Sequence, residues 1–168
     1  MNKQNSSIGI IGGAGHVGLP LSLLLVDKGY SIKVIDNDQK KIDSIKKGIL
    51  PFNEEGGLKL LKKVLKTGKI EFSSDLKEIK SCKTIIITIG TPIDDHFNPD
   101  LSGIFELINK IKPLLGKNHV VILRSTLFPG TTEKIYNILN NSSIKVGVSY
   151  CPERIAQGKA LIELKTLP

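Results

Sequence analysis

The run Gly13-Ala14-Gly15-His16-Val17-Gly18 follows directly on an apolar, β-branched segment, residues 8–11, and leads into an apolar stretch of helical character. Strand, then GxGxxG, then helix is the order that cradling a diphosphate requires. Gly13 permits the tight turn out of the strand. Gly15 has no Cβ, so backbone amides can approach a pyrophosphate, and Gly18 lets the helix pack closely on the strand. The helix start adds unpaired N–H groups and the positive end of its dipole. Asp36 closes the next apolar segment, 18 residues beyond Gly18. A carboxylate there accepts hydrogen bonds from the adenosine ribose hydroxyls and repels a 2′-phosphate, which favours NAD over NADP. Lys41 brings a cation to the same neighbourhood, with Asp36 dominating. The competing reading is a glycine turn that starts a helix without ligand, Asp36 merely ending a strand.

The elements that must position these residues alternate. Apolar runs at 8–11, 32–35, 84–89, 120–123 and 145–149 are rich in β-branched residues and apolar nearly throughout, as suits strands buried on both faces. Helical patterns lie between them at 17–28, 39–47, 58–66, 101–115 and from Thr131 or Thr132 to about Asn140. Gly48 fits a C-cap and Asp100 an N-cap. The expected fold is α/β, a doubly wound, mostly parallel Rossmann-type sheet with helices on both faces, in one domain spanning 1–168.

Composition narrows the classes. The 168 residues hold 24 Lys plus Arg against 16 Asp plus Glu, a formal charge of +8, yet only Arg124 and Arg154 are arginines. With 5% aromatics and no arginine cluster, the charge reads as a solvated lysine surface, with no nucleic-acid partner. Residues 8–26 carry no formal charge, but five glycines, His16 and Pro20 argue against a membrane span or signal segment. Cys82 and Cys151 form no disulfide framework or zinc cluster, which makes a reducing cytoplasm the default compartment. Cys82 reads as a small buried hydrophobe. His96 and His119 lack partners at metal-ligand spacing, so no metal is expected.

Beyond the glycine loop, Pro51-Phe52-Asn53-Glu54-Glu55-Gly56, Gly90-Thr91-Pro92, Arg124-Ser125-Thr126-Leu127-Phe128-Pro129-Gly130-Thr131-Thr132 and Cys151-Pro152-Glu153-Arg154-Ile155 occur in order. In these motifs and their spacing the chain resembles the N-terminal, NAD-binding domain of the UDP-glucose/GDP-mannose dehydrogenase family. Pro152-Glu153-Arg154, with Gln157-Gly158-Lys159-Ala160 behind it, looks like the branch acting on UDP-N-acetylhexosamines (UDP-N-acetylmannosamine or UDP-N-acetylglucosamine). The resemblance implies oxidation of a sugar C6 alcohol to a carboxylate with two NAD reduced. A cysteine thiolate captures the intermediate aldehyde and water hydrolyses the thioester.

By position, the resemblance implies that Thr126 lies near the nicotinamide and the catalytic water, and that Glu153 does acid/base work in thioester hydrolysis, for which partial burial is required. Thr91, with Pro92, lines the nicotinamide or phosphate path; His16, where many relatives have Tyr, and Val17 supply loop amides; Arg154 joins Glu153 toward substrate. The plainer alternatives are a Ser/Thr turn at Thr126, a solvated carboxylate at Glu153 with Arg154 as its surface partner, and Glu54 and Glu55 favouring the N-terminus of the helix at 58–66. Cys151 is expected to pack, since the family nucleophile belongs to a Gly- and Pro-flanked segment further downstream. Gln157 stands where relatives of the glucose branch carry a second acid.

The resemblance further implies a central helix and a second, nucleotide-sugar-binding domain beyond residue 168, carrying the nucleophile and the contact of a homo-oligomer. The 168 residues are therefore expected to bind NAD without turning over a UDP-sugar. The alternatives are another NAD-dependent dehydrogenase domain, of UDP-glucose or hydroxy-acid type, and a non-catalytic NAD-binding module.

Overall fold

The computed structural model describes residues 7–92, 100–141 and 145–166. Six strands form one sheet: β1 Ser7–Ile11, β2 Ile32–Ile35, β3 Ile70–Ser73, β4 Cys82–Ile87, β5 Val120–Leu123 and β6 Gly147–Tyr150. Their order is β3-β2-β1-β4-β5-β6, and every neighbouring pair is parallel. The described helices are α1 Gly18–Asp27, α2 Gln39–Lys46, α3 Gly57–Leu65, α4 Ser102–Ile111, α5 Thr131–Asn140 and α6 Ala160–Thr166. The expected doubly wound α/β fold is the observed one.

Its cause is visible strand by strand. Ile10 and Ile86 point into one apolar layer with Leu19, Leu23, Leu61 and Val64 of α1 and α3. Ile11, Ile85 and Ile87 point into the other, with Ile104, Ile108 and Ile135 of α4 and α5. Both faces are covered, so the central strands are apolar at most positions. The strand order reverses between β1 and β4, and the carboxyl ends of these two strands open a crevice. No described helix is long and apolar enough to cross a membrane.

Several boundaries shift for local reasons. β3 lies at the sheet edge and alternates apolar and polar residues, with Ile70 and Phe72 packed inward, so its pattern is weaker than that of the central strands. The strand expected at 145–149 runs Gly147–Tyr150 because Val146 is claimed by Asn140, whose amide oxygen accepts from the Val146 N–H at 2.7 Å. α4 ends at Ile111 and continues as a 3₁₀ turn, Lys112–Leu114, where Pro113 has no N–H to donate. Leu101 is the N-cap of α4, and the Asp100 carboxylate reaches past it to the Ser102 N–H at 2.9 Å. α6, which the sequence pattern did not suggest, packs against α1.

Candidate NAD site

The chain leaves β1 through Gly12, whose φ of +78° and 2.9 Å hydrogen bond from its N–H to the Ile35 carbonyl make the tight turn. The tight turn expected of Gly13 thus has its left-handed residue at Gly12. Gly13 is glycine for space: a Cβ there would sit 2.8 Å from the Ile10 carbonyl oxygen and from Val34 Cγ1. At Gly18 a Cβ would meet the Gly12 oxygen at 2.5 Å, Gly13 Cα at 2.6 Å and Thr88 Oγ1 at 2.7 Å, so α1 closes onto the turn itself. Gly15 differs from both. Its missing Cβ would touch only the Gly12 oxygen, at 3.3 Å, and Gly15 lines a cavity. No side chain caps α1 at Val17 and no acid occupies its first turn, which leaves its positive end to a ligand.

Asp36 sits beside this turn. Its Oδ2 accepts from the Ala14 N–H and its Oδ1 from the Asp38 N–H, both at 3.0 Å. The two bonds fix the carboxylate while each oxygen retains a lone pair for another donor. Asp36, Gly12 and Gly15 line a cavity of about 510 Å³ together with Leu76, Ile89 and Leu107. The lining thus joins the glycine turn and a carboxylate to apolar side chains that a flat ring can lie against, with the ion-paired Glu106 and Lys110 also among its residues. Leu76 and Leu107 carry no motif, and sequence reasoning missed them. Lys41 is placed elsewhere: its ammonium lies 3.4 Å from Asp38 and it is not among the cavity-lining residues. Asp38 caps α2, and the Lys41 N–H, then its ammonium, hold the Asp38 carboxyl below the usual carboxylate value.

Past β4 and β5 the two exits are tied together. Ser125 is buried and donates to the Ile89 carbonyl at 2.6 Å, and the Thr91 hydroxyl donates to the Thr126 carbonyl at 2.9 Å. Thr91 and Thr126 are thereby brought together, with the Thr126 side chain exposed at the carboxyl edge. Pro92 follows, its carbonyl accepting from the Asp100 N–H at 2.7 Å.

Glu153 is partly buried, but its ion partner is Arg124, not Arg154. Arg124 donates through Nε at 3.1 Å and through Nη2 to Glu153 Oε2. Arg154 contributes its backbone N–H, 2.8 Å from Oε1. The two side chains of the pair are 15% and 11% exposed. Cys151 does not pack as expected. It follows the edge strand β6, is exposed, and its Sγ lies 3.7 Å from Arg124 Nη1. Cys82 is buried, and burial pushes its thiol above the ordinary value.

Glu54 and Glu55 do not serve the helix that follows them. α3 starts from Gly56 at φ +72° with no acid in its first turn. Glu54 instead turns inward, where its Oε1 accepts from the Leu161 N–H of α6 at 2.8 Å, while the exposed Glu55 donates its N–H to the Gly158 carbonyl at 3.0 Å. His16 is exposed on the glycine turn, its ring centroid 4.1 Å from that of Phe52. His119 closes a turn by accepting the Gly116 N–H on Nδ1 at 2.8 Å, and His96 lies outside the described residues. Among the described residues no group of three or more His, Cys, Asp or Glu is arranged to hold a metal ion.

Residues 6–168 match the family model described as the UDP-glucose/GDP-mannose dehydrogenase family, NAD binding domain. The UDP-N-acetyl-D-mannosamine dehydrogenase of Methanococcus vannielii is 33% identical over 156 residues, covering 90% of this chain and 35% of that protein. The UDP-glucose 6-dehydrogenase of Rickettsia bellii is 31% identical over 150 residues, 89% of this chain and 35% of that protein. A ternary-complex crystal structure of GDP-mannose dehydrogenase from Pseudomonas aeruginosa superposes with a TM-score of 0.89 at 27% identity, over 96% of this chain and 39% of that one. The chain thus spans little more than a third of the length of these relatives.

Proposed function

Since the chain belongs to the UDP-glucose/GDP-mannose dehydrogenase family, as its NAD binding domain, we propose that it supplies the cofactor half of a UDP-sugar 6-dehydrogenase. The proposed reaction is oxidation of the C6 alcohol of a UDP-N-acetylhexosamine to the uronic acid with two NAD. The observation that carries this reading is the cavity where the open side of Gly15 and the fixed Asp36 carboxylate stand together at the carboxyl ends of β1 and β2.

The residues present fit NAD. The space a Cβ would fill at Gly15 is open to the cavity, and the start of α1 has no competing acid. The N–H groups of His16, Val17 and Gly18 would hold the diphosphate, and Asp36 would hold the adenosine ribose. Gly13 and Gly15 would shape the turn, their own N–H groups donating to the Ile35 and Gly12 carbonyls. Thr91, Pro92 and Thr126 would border the nicotinamide. Bound there, NAD supplies the hydride acceptor for each oxidation. Lys41 is left out of this set, since Asp38 engages it.

On the substrate side, Glu153 would move the proton of the hydrolytic water, with Arg124 and the Arg154 N–H fixing its carboxylate. Arg154 would face substrate from the same segment. No covalent step is assigned to Cys151, which stands at the exposed end of the edge strand. The N-acetylhexosamine preference is supported by Pro152-Glu153-Arg154 with Gln157-Gly158-Lys159-Ala160 behind it, and by the likeness to the M. vannielii enzyme.

We propose further that the 168 residues bind NAD without sustained turnover, that the longer protein is a homo-oligomer, and that it works in the cytoplasm. Purified chain mixed with NAD and UDP-N-acetylmannosamine, UDP-N-acetylglucosamine or UDP-glucose is expected to give no continuing rise in reduced-nicotinamide absorbance, while titration of NAD gives saturable binding. Sustained NADH production contradicts the first statement, and absence of saturable NAD binding contradicts the reading as a whole.

A further inference from the structure

Past β6 the chain does not stay at the sheet edge. Cys151 and Glu153 donate their N–H groups to the Leu123 and Arg124 carbonyls, so this stretch runs alongside the exit of β5. By Ala160 it has reached α6, which packs on α1. Residues 151–161 therefore cross the carboxyl edge of the sheet, the side on which the proposed cofactor lies, carrying Glu153 with them.

The far end of the crossing is held by Glu54. This residue is 7% exposed, and its Oε1 accepts the Leu161 N–H at 2.8 Å across 107 residues of sequence. The neighbouring Glu55 N–H to Gly158 carbonyl bond, at 3.0 Å, seals the same contact. Glu54 Oε2 is buried with no hydrogen-bond partner among the described residues. A buried polar oxygen left unpaired is costly, so stability alone is a poor reason for a carboxyl group at this position. Two residues before Glu54, Phe52 lies against His16 of the diphosphate turn. One short segment thus touches both the turn that would hold the phosphates and the end of the stretch that carries Glu153.

We propose that Glu54 is a positioning residue: with Glu153 fixed at the near end by Arg124, Glu54 anchors the far end of the 151–161 crossing and so holds that stretch over the nicotinamide end of the cleft. The proposal rests on the reading of the cleft as an NAD site with its nicotinamide end near Thr126 and Glu153. It predicts a selective loss. Glu54→Ala frees the crossing, which should weaken contacts to nicotinamide while leaving the adenosine diphosphate half in place.

The test compares NADH with ADP-ribose, which lacks the nicotinamide, on the purified chain. The wild type should bind NADH more tightly than ADP-ribose. Glu54→Ala should keep ADP-ribose affinity within about twofold and cut the NADH-to-ADP-ribose preference at least about fivefold. Glu54→Gln keeps an acceptor oxygen for the Leu161 N–H and should restore the preference. Amide exchange at Leu161 should be slow in the Glu54→Gln variant and fast in the Glu54→Ala variant. Glu54→Asp is one methylene short; it should behave as Glu54→Ala and serves in its place if that variant does not fold. An unchanged preference in the Ala and Asp variants overturns the proposal, as does an equal loss for both ligands. A wild type that binds both ligands equally, or neither, overturns the underlying placement of the cofactor, and this proposal with it.

Discussion

Arg124 holds Glu153 by two hydrogen bonds to a single carboxylate oxygen, Oε2, from the exit of one strand to the exit of the next. The pair lies 29 residues apart in sequence and is largely withdrawn from water. Its geometry gives Glu153 one engaged oxygen, and a second, Oε1, that accepts from the Arg154 N–H and keeps a lone pair for another donor.

Removing one member should therefore cost more than an exposed ion pair would. Arg124→Gln is expected to lower stability by about 1–3 kcal/mol in urea unfolding, because it leaves a mostly buried carboxylate underpaired. Glu153→Gln in the same background should recover part of that loss. Strict additivity of the two changes would show that the pair is not coupled.

Gly15 and Gly18 should separate binding from folding. Gly18→Ala forces a Cβ to within 2.5–2.7 Å of the Gly12 oxygen, Gly13 Cα and Thr88 Oγ1, and is expected to cost about 1–3 kcal/mol or more of stability. Gly15→Ala meets only the Gly12 oxygen at 3.3 Å. It should cost less than about 1 kcal/mol yet weaken NAD at least about tenfold, because the methyl group would intrude on the diphosphate. Thermal unfolding and NAD titration of both variants check the contrast.

The two thiols should behave oppositely. Cys151 is exposed and Cys82 buried, with burial holding the Cys82 thiol protonated to higher pH. At about pH 8 a disulfide reagent such as Ellman's should label one thiol per chain rapidly and the second only at the rate of unfolding. Cys151→Ser should abolish the rapid phase; persistence of that phase would place the reactive thiol elsewhere.

Acid should loosen α2 at its cap. The Lys41 N–H, then its ammonium, depress the Asp38 carboxyl below its ordinary value of 3.8. A group depressed on folding adds stability above its unfolded value, and loses it as pH falls through the folded one. Below about pH 4 the Asp38 contribution should fade. Asp38→Asn keeps a capping oxygen without the charge, so its melting temperature should fall less steeply in acid than that of the wild type. Identical acid limbs would remove the cap from the account.

Much of this was legible in the sequence because the signals are local. The mostly apolar, β-branched runs of β1, β2, β4 and β5 report burial on both faces, and the glycine turn with Asp36 reports itself through spacing. What was not legible depends on partners far away in sequence. Glu54 meets an amide 107 residues on, and Arg124 finds Glu153 29 residues on; Lys41 is a local case, where the nearer of two carboxylates, Asp38 at i,i+3, takes the ammonium. Edge position explains two further differences. β3 shows only half of its pattern, and Cys151 is exposed because the strand before it has a neighbour on one side only.

The central claim is that the glycine turn and Asp36 together bind NAD. Calorimetric titration of the purified chain with NAD and with NADP, in wild type and Asp36→Ala, addresses it directly. The account predicts saturable NAD binding, NADP weaker by at least about tenfold, and an Asp36→Ala variant that loses NAD affinity and most of that discrimination. No heat with millimolar NAD, or an Asp36→Ala variant as tight and as selective as the wild type, would contradict it.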